Sequence, residues 1–173
     1  ATVFAQTKTD AVLVAKDTLK SNDIELKKSG TPKEVLENPR FVNASSKLKD
    51  AASFDADFFD ISAVEALNMD PQIRLLLENS WHAIEDAGYN VDDITVPVGN
   101  FCGMSVNTYL MRIIATNSKE EHVDALMYRI LNDKDFLATW VSYKLNLIGP
   151  AMSIQTACSS SLLAVHMACQ RLL

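Results

Sequence analysis

Cys158 is the residue of this chain whose position most clearly suggests a reaction. The apolar segment 151–157 predicts a strand before it, and the pattern from about Ser159 predicts a helix after it. At such a junction the unpaired N–H groups and the dipole of the helix favour an anion such as a thiolate, the reactive form of cysteine. The same N–H groups could stabilise the oxyanion formed when a thioester carbonyl is attacked. The pattern therefore suits acyl transfer through a thioester on Cys158.

The other two cysteines have less suggestive positions. Cys102 lies in a predicted strand and Cys169 on an apolar helical stripe, so both are predicted to be core residues. Because cysteine is often buried, a structural cysteine before a helix is also a valid interpretation of Cys158. The residues alone leave both interpretations open.

No histidine is a convincing partner for the Cys158 thiol. His166 is eight residues further along the same predicted helix, about 12 Å along its axis, and is predicted to be a packed core residue. His82 and His122 are predicted to lie at the surface. The chain has no His/Cys cluster with metal-ligand spacing and no glycine-rich phosphate-binding motif, so we expect neither a metal site nor a directly bound cofactor.

Helix start and stop signals predict the elements that place Cys158. Thr31 as the N-cap and Pro32 as the first helical residue predict a short helix. Ser62 with Glu65 forms a capping box, and Asp70-Pro71 opens a helix that Gly88 ends. Strands are predicted at 98–105 and 151–157, and further helices at 120–130, 136–147 and from about 159. Helices interleaved with short apolar strands indicate an α/β layered fold.

Apolar stripes predict which helix faces are buried. The members of three stripes are, in chain order, Ile73, Leu77, Trp81 and Ile84; Phe136, Trp140, Tyr143 and Leu147; and Leu162, Val165, His166, Cys169, Leu172 and Leu173.

Composition narrows the classes of partner and compartment. The chain has 173 residues, enough for one domain, with 48% hydrophobic and 22% charged residues. A net charge of −6 without a basic cluster argues against nucleic acid and anionic membrane surfaces. With three cysteines and no signal-like N-terminus, we expect free thiols and a cytoplasmic location.

Four motifs in order resemble ketosynthase (β-ketoacyl synthase) domains of modular polyketide synthases and related fatty-acid enzymes. The match covers residues 40–173 well and residues 1–39 weakly. The matching stretches are FDADFFDIS at 54–62, DPQ and RLLLE within 70–78 with EDAG at 85–88, NDKDFLAT and VSYKLNL within 132–147, and TACSSSL at 156–162.

This resemblance implies a thiolase-like layered α/β fold, with residues 1–173 forming the N-terminal half of a ketosynthase. It implies that Cys158 accepts an acyl chain from the phosphopantetheine of an acyl carrier protein, with its backbone N–H in the oxyanion hole. A malonyl-type extender would then lose CO₂ and attack the thioester. The implied partners are the carrier protein, neighbouring polyketide synthase domains and a second copy in a homodimer, with no nucleic acid and no membrane.

The resemblance also limits what residues 1–173 could do alone. The family's two later histidine motifs, which assist decarboxylation, are not within this sequence. We therefore expect a truncated chain that could be acylated but would not complete the condensation. The alternatives are a non-condensing ketosynthase-like module that binds carrier-tethered chains, and a scaffold or dimerisation module.

Overall fold

The computed structural model describes residues 30–41, 52–117 and 125–173. The chain divides into two units, one formed by residues 6–51 and one that contains residues 52–173. In the smaller unit, helix α1 spans Lys33–Leu36. Pro32, with a ψ of 142°, is its N-cap residue. The prediction that Thr31 caps and Pro32 is the first helical residue was therefore wrong by one position, because the backbone is still extended at Pro32.

Helix α2, Ala63–Asn68, begins at the predicted capping box. The Glu65 N–H donates to Ser62 Oγ at 3.2 Å, and the Ser62 N–H donates to the Glu65 carboxylate at 3.0 Å. Both hydrogen bonds satisfy backbone groups that a helix start leaves without partners. The Ser62 hydroxyl also donates to the Glu65 carboxylate at 2.7 Å, and this bond, followed by the one from the Ser62 N–H, lowers the pKa of Glu65.

Helix α3, Pro71–Asp86, also has the predicted ends. Asp70 caps it by accepting a hydrogen bond from the Gln72 N–H at 2.7 Å. Gly88, at a φ of +80°, takes the left-handed conformation that commonly follows a helix end. Three of the four predicted stripe residues, Ile73, Leu77 and Ile84, are buried.

A parallel two-stranded sheet lies between the helices of the larger unit. Strand β1 spans Asn100–Cys102 and strand β2 spans Ala151–Ser153, with Cys102 paired to Ser153. Both strands are shorter than predicted. At the end of β2 one further hydrogen bond joins the Ile154 N–H to the Cys102 carbonyl at 2.7 Å. The chain then leaves the sheet, because Ala157 has a φ of +52°, far from extended values.

Four further helices complete the described part of the larger unit. They are α4 (Tyr109–Asn117), α5 (Ala125–Asn132), α6 (Leu137–Lys144) and α7 (Ser160–Leu172). Helix α5 overlaps the helix predicted at 120–130, whose first residues lie outside the described ranges. Helix α6 is shorter than predicted, because a 3-10 turn, Lys134–Phe136, precedes it and because it ends at Lys144, before Asn146 with its φ of +50°.

The predicted apolar stripe of α6 was wrong except at Leu147, which is buried but lies beyond the end of the helix. Its buried residues are Leu137, Ala138 and Val141, whereas Tyr143 is 75% exposed. Helix α6 packs against α3 and against both strands. These neighbours determine which face of α6 is buried. The spacing of the large side chains alone does not indicate that face.

The predicted stripe of α7 was wrong as well. Ser160, Ala164 and Ala168 are the buried residues of this helix. Their spacing of four places three small side chains on one face, and α7 packs on β1. The residues of the predicted stripe that the structure leaves exposed are Leu162, Val165, His166, Cys169, Leu172 and Leu173. His166 and Cys169 are therefore not core residues.

The core lies where α3 and α6 meet the C-terminal part of α5. Ile73 and Leu77 of α3, Leu131 of α5, and Leu137 and Val141 of α6 are at most 1% exposed. This packing holds the sheet against α6. The position of β2 in turn determines where α7 begins. Within the described ranges, no helix is both long enough and apolar enough to cross a membrane.

Candidate active site at the strand–helix junction

Cys158 lies at the predicted junction between a strand and a helix. It is the middle residue of the 3-10 turn Ala157–Ser159, which follows β2 and leads directly into α7. The residue is exposed. The thiol is thus next to the start of a helix and open to reagents, as a nucleophile requires.

The residue before Cys158 has an unusual backbone conformation. Ala157 has a φ of +52°, in the left-handed region that residues with a Cβ seldom adopt. The cost of this conformation is about 1–2 kcal/mol, so surrounding contacts must enforce it. Such strain is most common at functional sites, and here it adjoins the exposed thiol.

Two serine hydroxyls make hydrogen bonds within this strained turn. The Thr156 N–H donates to Ser160 Oγ at 2.9 Å, and Ser160 Oγ–H donates to the Ala157 carbonyl at 2.9 Å. Ser159 Oγ–H donates to the Thr156 carbonyl, also at 2.9 Å. Ser160 is buried and Ser159 is exposed, so the bonds of Ser160 are the ones protected from water.

Gly103 brings the end of β1 close to this turn. A Cβ atom at Gly103 would lie 2.5 Å from the Ile154 carbonyl oxygen and 2.9 Å from Ser160 Cβ. Real Cβ atoms do not approach other atoms so closely. Only glycine therefore allows β1 to pack against Ser160 in this way.

The Cys158 turn opens into a cleft of about 930 Å³. Its walls are contributed by the segment after β1, by the starts of α3, α4 and α7, and by the end of α5. The residues that line it are Gln72, Gly103, Met104, Ser105, Val106, Asn107, Leu110, Arg129, Asn132, Asp133, Lys134, Gln155, Ala157, Cys158, Ser160 and Ser161. The lining combines apolar side chains with amide, hydroxyl and charged groups that could orient a ligand.

Amide side chains hold the segment after β1, which forms one wall of the cleft. Gln72 Oε1 accepts a hydrogen bond from the Ser105 N–H at 2.8 Å. Asn132 is fully buried and donates to the Asn68 carbonyl at 2.7 Å, while Asn107 donates to the Asn132 carbonyl at 2.5 Å. These bonds fix the segment after β1 relative to α3 and α5.

Asp70 stabilises the two helices that contribute to this wall of the cleft. It is 2% exposed, and its burial raises the pKa of the carboxyl, while hydrogen bonds from Gln72 act in the opposite direction. Its backbone N–H donates to the Leu131 carbonyl at 3.0 Å. Asp70 thereby joins the start of α3 to the end of α5.

Comparison with known proteins shows which family this chain belongs to. The family model of the β-ketoacyl synthase N-terminal domain matches residues 8–173. The chain belongs to the β-ketoacyl synthase family. A crystal structure of ketosynthase twelve from the bacillaene polyketide synthase in Bacillus amyloliquefaciens is similar over 87% of this chain, with 35% identity and a TM-score of 0.74. The fold is thus the thiolase-like fold of ketosynthases, as the sequence predicted.

Curated relatives of this ketosynthase sequence are polyketide synthases. A component of the phenolphthiocerol/phthiocerol polyketide synthase of Mycobacterium tuberculosis is 38% identical over 156 residues, which are 86% of this chain. The pikromycin polyketide synthase component PikAII of Streptomyces venezuelae is 45% identical over 135 residues, or 76% of this chain. The chain spans 10% and 4% of those two proteins, and 26% of the solved bacillaene ketosynthase.

The other cysteines of this ketosynthase sequence lie outside the cleft. Cys102 is buried in β1, as predicted, and burial raises the pKa of its thiol to about 12. Cys169 is exposed on α7, eleven residues beyond Cys158. It provides an internal comparison, because it is an accessible thiol that does not adjoin a helix start.

Neither described histidine contributes to the cleft. His82 is an exposed residue of α3 whose Nδ1 lies 3.4 Å from a Glu85 carboxylate oxygen. His166 is exposed on α7, and His122 lies outside the described residues. In the part of the chain that the structure describes, no cluster of His, Cys, Asp or Glu could hold a metal ion.

Sequence reasoning located Cys158 but missed the residues that shape its surroundings. Ser160 was recognised only as part of the stretch 156–162, and Gly103 only as part of a strand. Gln72, Asn107 and Asn132 carried no signal for a cleft, because they are brought together by contacts between residues 25 to 64 positions apart.

Proposed function

We propose that Cys158 is the acyl-accepting nucleophile of a polyketide ketosynthase. The observation that carries this proposal is the position of an exposed thiol in a strained turn at the start of α7, within a large cleft. Membership of the β-ketoacyl synthase family supports it. The buried thiol of Cys102 and the isolated thiol of Cys169 lack this combination of features.

The proposed first step is a transfer between thioesters. Cys158 Sγ, as a thiolate, attacks the carbonyl carbon of an acyl thioester carried on the phosphopantetheine arm of an acyl carrier protein. The carbonyl oxygen becomes an oxyanion, which the Cys158 backbone N–H stabilises. The intermediate collapses, the bond from the carbonyl carbon to the carrier sulfur breaks, and the carrier leaves as a thiolate that takes a proton from water. The acyl chain remains on Cys158.

The proposed second step is decarboxylative condensation. A malonyl-type thioester on a carrier loses CO₂, and the resulting carbanion attacks the carbonyl carbon of acyl-Cys158. The new carbon–carbon bond gives a β-ketoacyl carrier, and Cys158 leaves as a thiolate. We assign this step to the whole natural protein, acting with its carrier and neighbouring domains and as a homodimer, since neither His82 nor His166 lines the cleft.

Acylation is tested by treating the natural protein that carries this sequence with an acyl N-acetylcysteamine thioester. Peptide mapping by mass spectrometry then locates the acyl group. We expect one acyl group per chain, on Cys158, and no acyl group on Cys102 or Cys169 in a Cys158→Ala variant. Equal acylation of Cys158 and Cys169, or no acylation of Cys158, would contradict the proposal.

Condensation needs its own measurement. After acylation, a malonyl-loaded carrier protein is added, and released CO₂ and the β-ketoacyl product are measured together. A condensing ketosynthase produces both in equal amounts. An acylated protein that releases neither would instead be a non-condensing module that holds carrier-derived chains.

A further inference from the structure

The hydroxyl of Ser160 has two hydrogen bonds that both end on the turn before Cys158. It accepts from the Thr156 N–H and donates to the Ala157 carbonyl, each at 2.9 Å. A hydroxyl has one proton to donate, so its only donor is committed to the Ala157 carbonyl. Ser160 is 7% exposed, and water therefore competes little for either bond.

The Ala157 carbonyl and the Cys158 N–H belong to the same peptide group. A trans peptide is planar, so its C=O and N–H point in opposite directions. The described residues contain no cis peptide bond. Fixing the direction of the Ala157 carbonyl therefore also fixes the direction of the Cys158 N–H.

The Cys158 N–H remains available for a ligand. Within the described ranges it makes no backbone or side-chain hydrogen bond, whereas the Ser159 N–H donates to the Thr156 carbonyl at 3.2 Å. The Ala157 carbonyl, on the opposite side of the same peptide, also accepts the backbone N–H of Ser160. Both bonds to that carbonyl come from the helix side, which leaves the Cys158 N–H directed away from them.

The strained backbone at Ala157 would relax unless other contacts held it. Ala157 adopts a left-handed conformation that alanine disfavours, and rotation about its N–Cα bond, which would carry the Ala157–Cys158 peptide with it, would relieve this strain. Gly103 approaches Ser160 closely, since a Cβ there would lie 2.9 Å from Ser160 Cβ, and this approach leaves the Ser160 side chain little room on that side. The Ser160 hydroxyl is therefore held by two segments that are distant in sequence, the turn 156–160 and Gly103 at the end of β1.

We propose that Ser160 is a positioning residue, whose hydroxyl orients the Ala157–Cys158 peptide so that the Cys158 N–H meets the oxyanion of the attacked thioester. This role rests on the proposed acylation of Cys158. Ser160 itself touches no substrate in this mechanism. It acts through the peptide group that precedes the thiol.

The test separates oxyanion stabilisation from general reactivity of the thiol. In the natural protein, the rate of Cys158 acylation by an acyl N-acetylcysteamine thioester is divided by the rate of its alkylation by iodoacetamide, which forms no oxyanion. Removing one oxyanion-hole donor typically slows a reaction about 10²–10³-fold. We expect Ser160→Ala to lower the ratio at least about tenfold. The matched control is Ser159→Ala, which removes an exposed 2.9 Å hydrogen bond from the same turn and should leave the ratio within about twofold.

A second pair of variants keeps the test valid if Ser160→Ala does not fold. Ser160→Thr and Ser160→Val have nearly the same shape and differ in the hydroxyl. We expect Thr to keep a ratio at least about tenfold above that of Val. Equal ratios in this pair, or a ratio unchanged by Ser160→Ala, would overturn the proposal. If wild-type Cys158 is alkylated but never acylated, the proposed function itself fails, which is a different result.

Discussion

At the residue scale, the three cysteines show how position determines reactivity. Cys102 is enclosed by the core, Cys169 is exposed on the surface of a helix, and Cys158 is exposed in a strained turn beside a helix start. A buried thiol cannot ionise readily because its anion would lose hydration. Of the three, only the Cys158 thiol is both accessible to solvent and close to the unpaired N–H groups of a helix start.

Cys102 should make the protein less stable in alkali. Its thiol has a pKa of about 12 in the folded state against 9.0 for an unperturbed thiol. The unfolded chain therefore loses this proton first, and the stability that the neutral thiol provides is complete below pH 9 and declines as the pH rises towards 12. The slope from this one group is at most about 1.4 kcal/mol per pH unit.

The measurement is the free energy of unfolding by urea at several pH values above 8. The wild-type protein should lose stability with pH more steeply than a Cys102→Ala variant. Parallel curves for the two proteins would show that burial does not hold the Cys102 proton.

The position of Cys158 between a strand and a helix could be predicted from residue type and local pattern, because all three features are contiguous in the sequence. Strand, cysteine and helix follow one another within 22 residues, from Ala151 to Leu172. The role of Ser160 could not be predicted in the same way. It depends on the positive φ of Ala157 and on the approach of Gly103 from a strand more than fifty positions away.

At the element scale, polar side chains join helices that are distant in sequence. Asn132 at the end of α5 donates to the carbonyls of Asn68, at 2.7 Å, and Tyr128, at 3.0 Å. It is fully buried, so no water can replace it. The end of α2 is thus fixed against the end of α5.

Replacing Asn132 by alanine should destabilise the protein strongly. The change removes the side-chain donor to the Asn68 carbonyl and one donor to the Tyr128 carbonyl and opens a small cavity, and we expect a loss of about 2–4 kcal/mol in the free energy of unfolding. Asn79→Ala is the control. Asn79 makes a similar hydrogen bond, 2.6 Å to the Leu75 carbonyl, but is exposed, so its loss should change stability by no more than about 0.5 kcal/mol. Equal effects in thermal or urea unfolding would refute the role assigned to Asn132.

Gly103→Ala should disturb the contact between β1 and α7. The added Cβ would meet the Ile154 carbonyl oxygen at 2.5 Å, and backbone cannot move aside without cost. We expect a loss of about 1–3 kcal/mol in the free energy of unfolding. In Gly99→Ala the nearest atoms are in the side chains of Phe101 and Pro150, at 3.0 Å or more, so the loss should be smaller. A larger effect at Gly99 would contradict this account.

Helix ends were predictable because capping is local. Ser62 with Glu65, and Asp70 with Pro71, define helix starts within four residues, and the structure has both. The buried faces of α6 and α7 were not predictable from spacing alone. On α7 the small residues Ala164 and Ala168 face β1, whereas Leu162 is 77% exposed, because the neighbouring element determines which face is covered.

At the scale of the whole molecule, the cleft depends on distant segments meeting. Gln72 at the start of α3 binds the Ser105 N–H after β1, and Cys158 arrives from β2. Composition and periodicity predicted layered helices and strands, and the fold is of that kind. The outline of the cleft required contacts that no local pattern specifies.

The central claim is that the folded chain, and not cysteine chemistry in general, makes Cys158 the acyl acceptor. The most direct measurement compares the acylation rates of Cys158 and Cys169 by an acyl thioester, in the folded natural protein and after unfolding in urea. The account predicts that Cys158 reacts at least about tenfold faster than Cys169 in the folded protein and that the two rates converge on unfolding. Equal rates in the folded protein, or a preference for Cys158 that persists after unfolding, would contradict it.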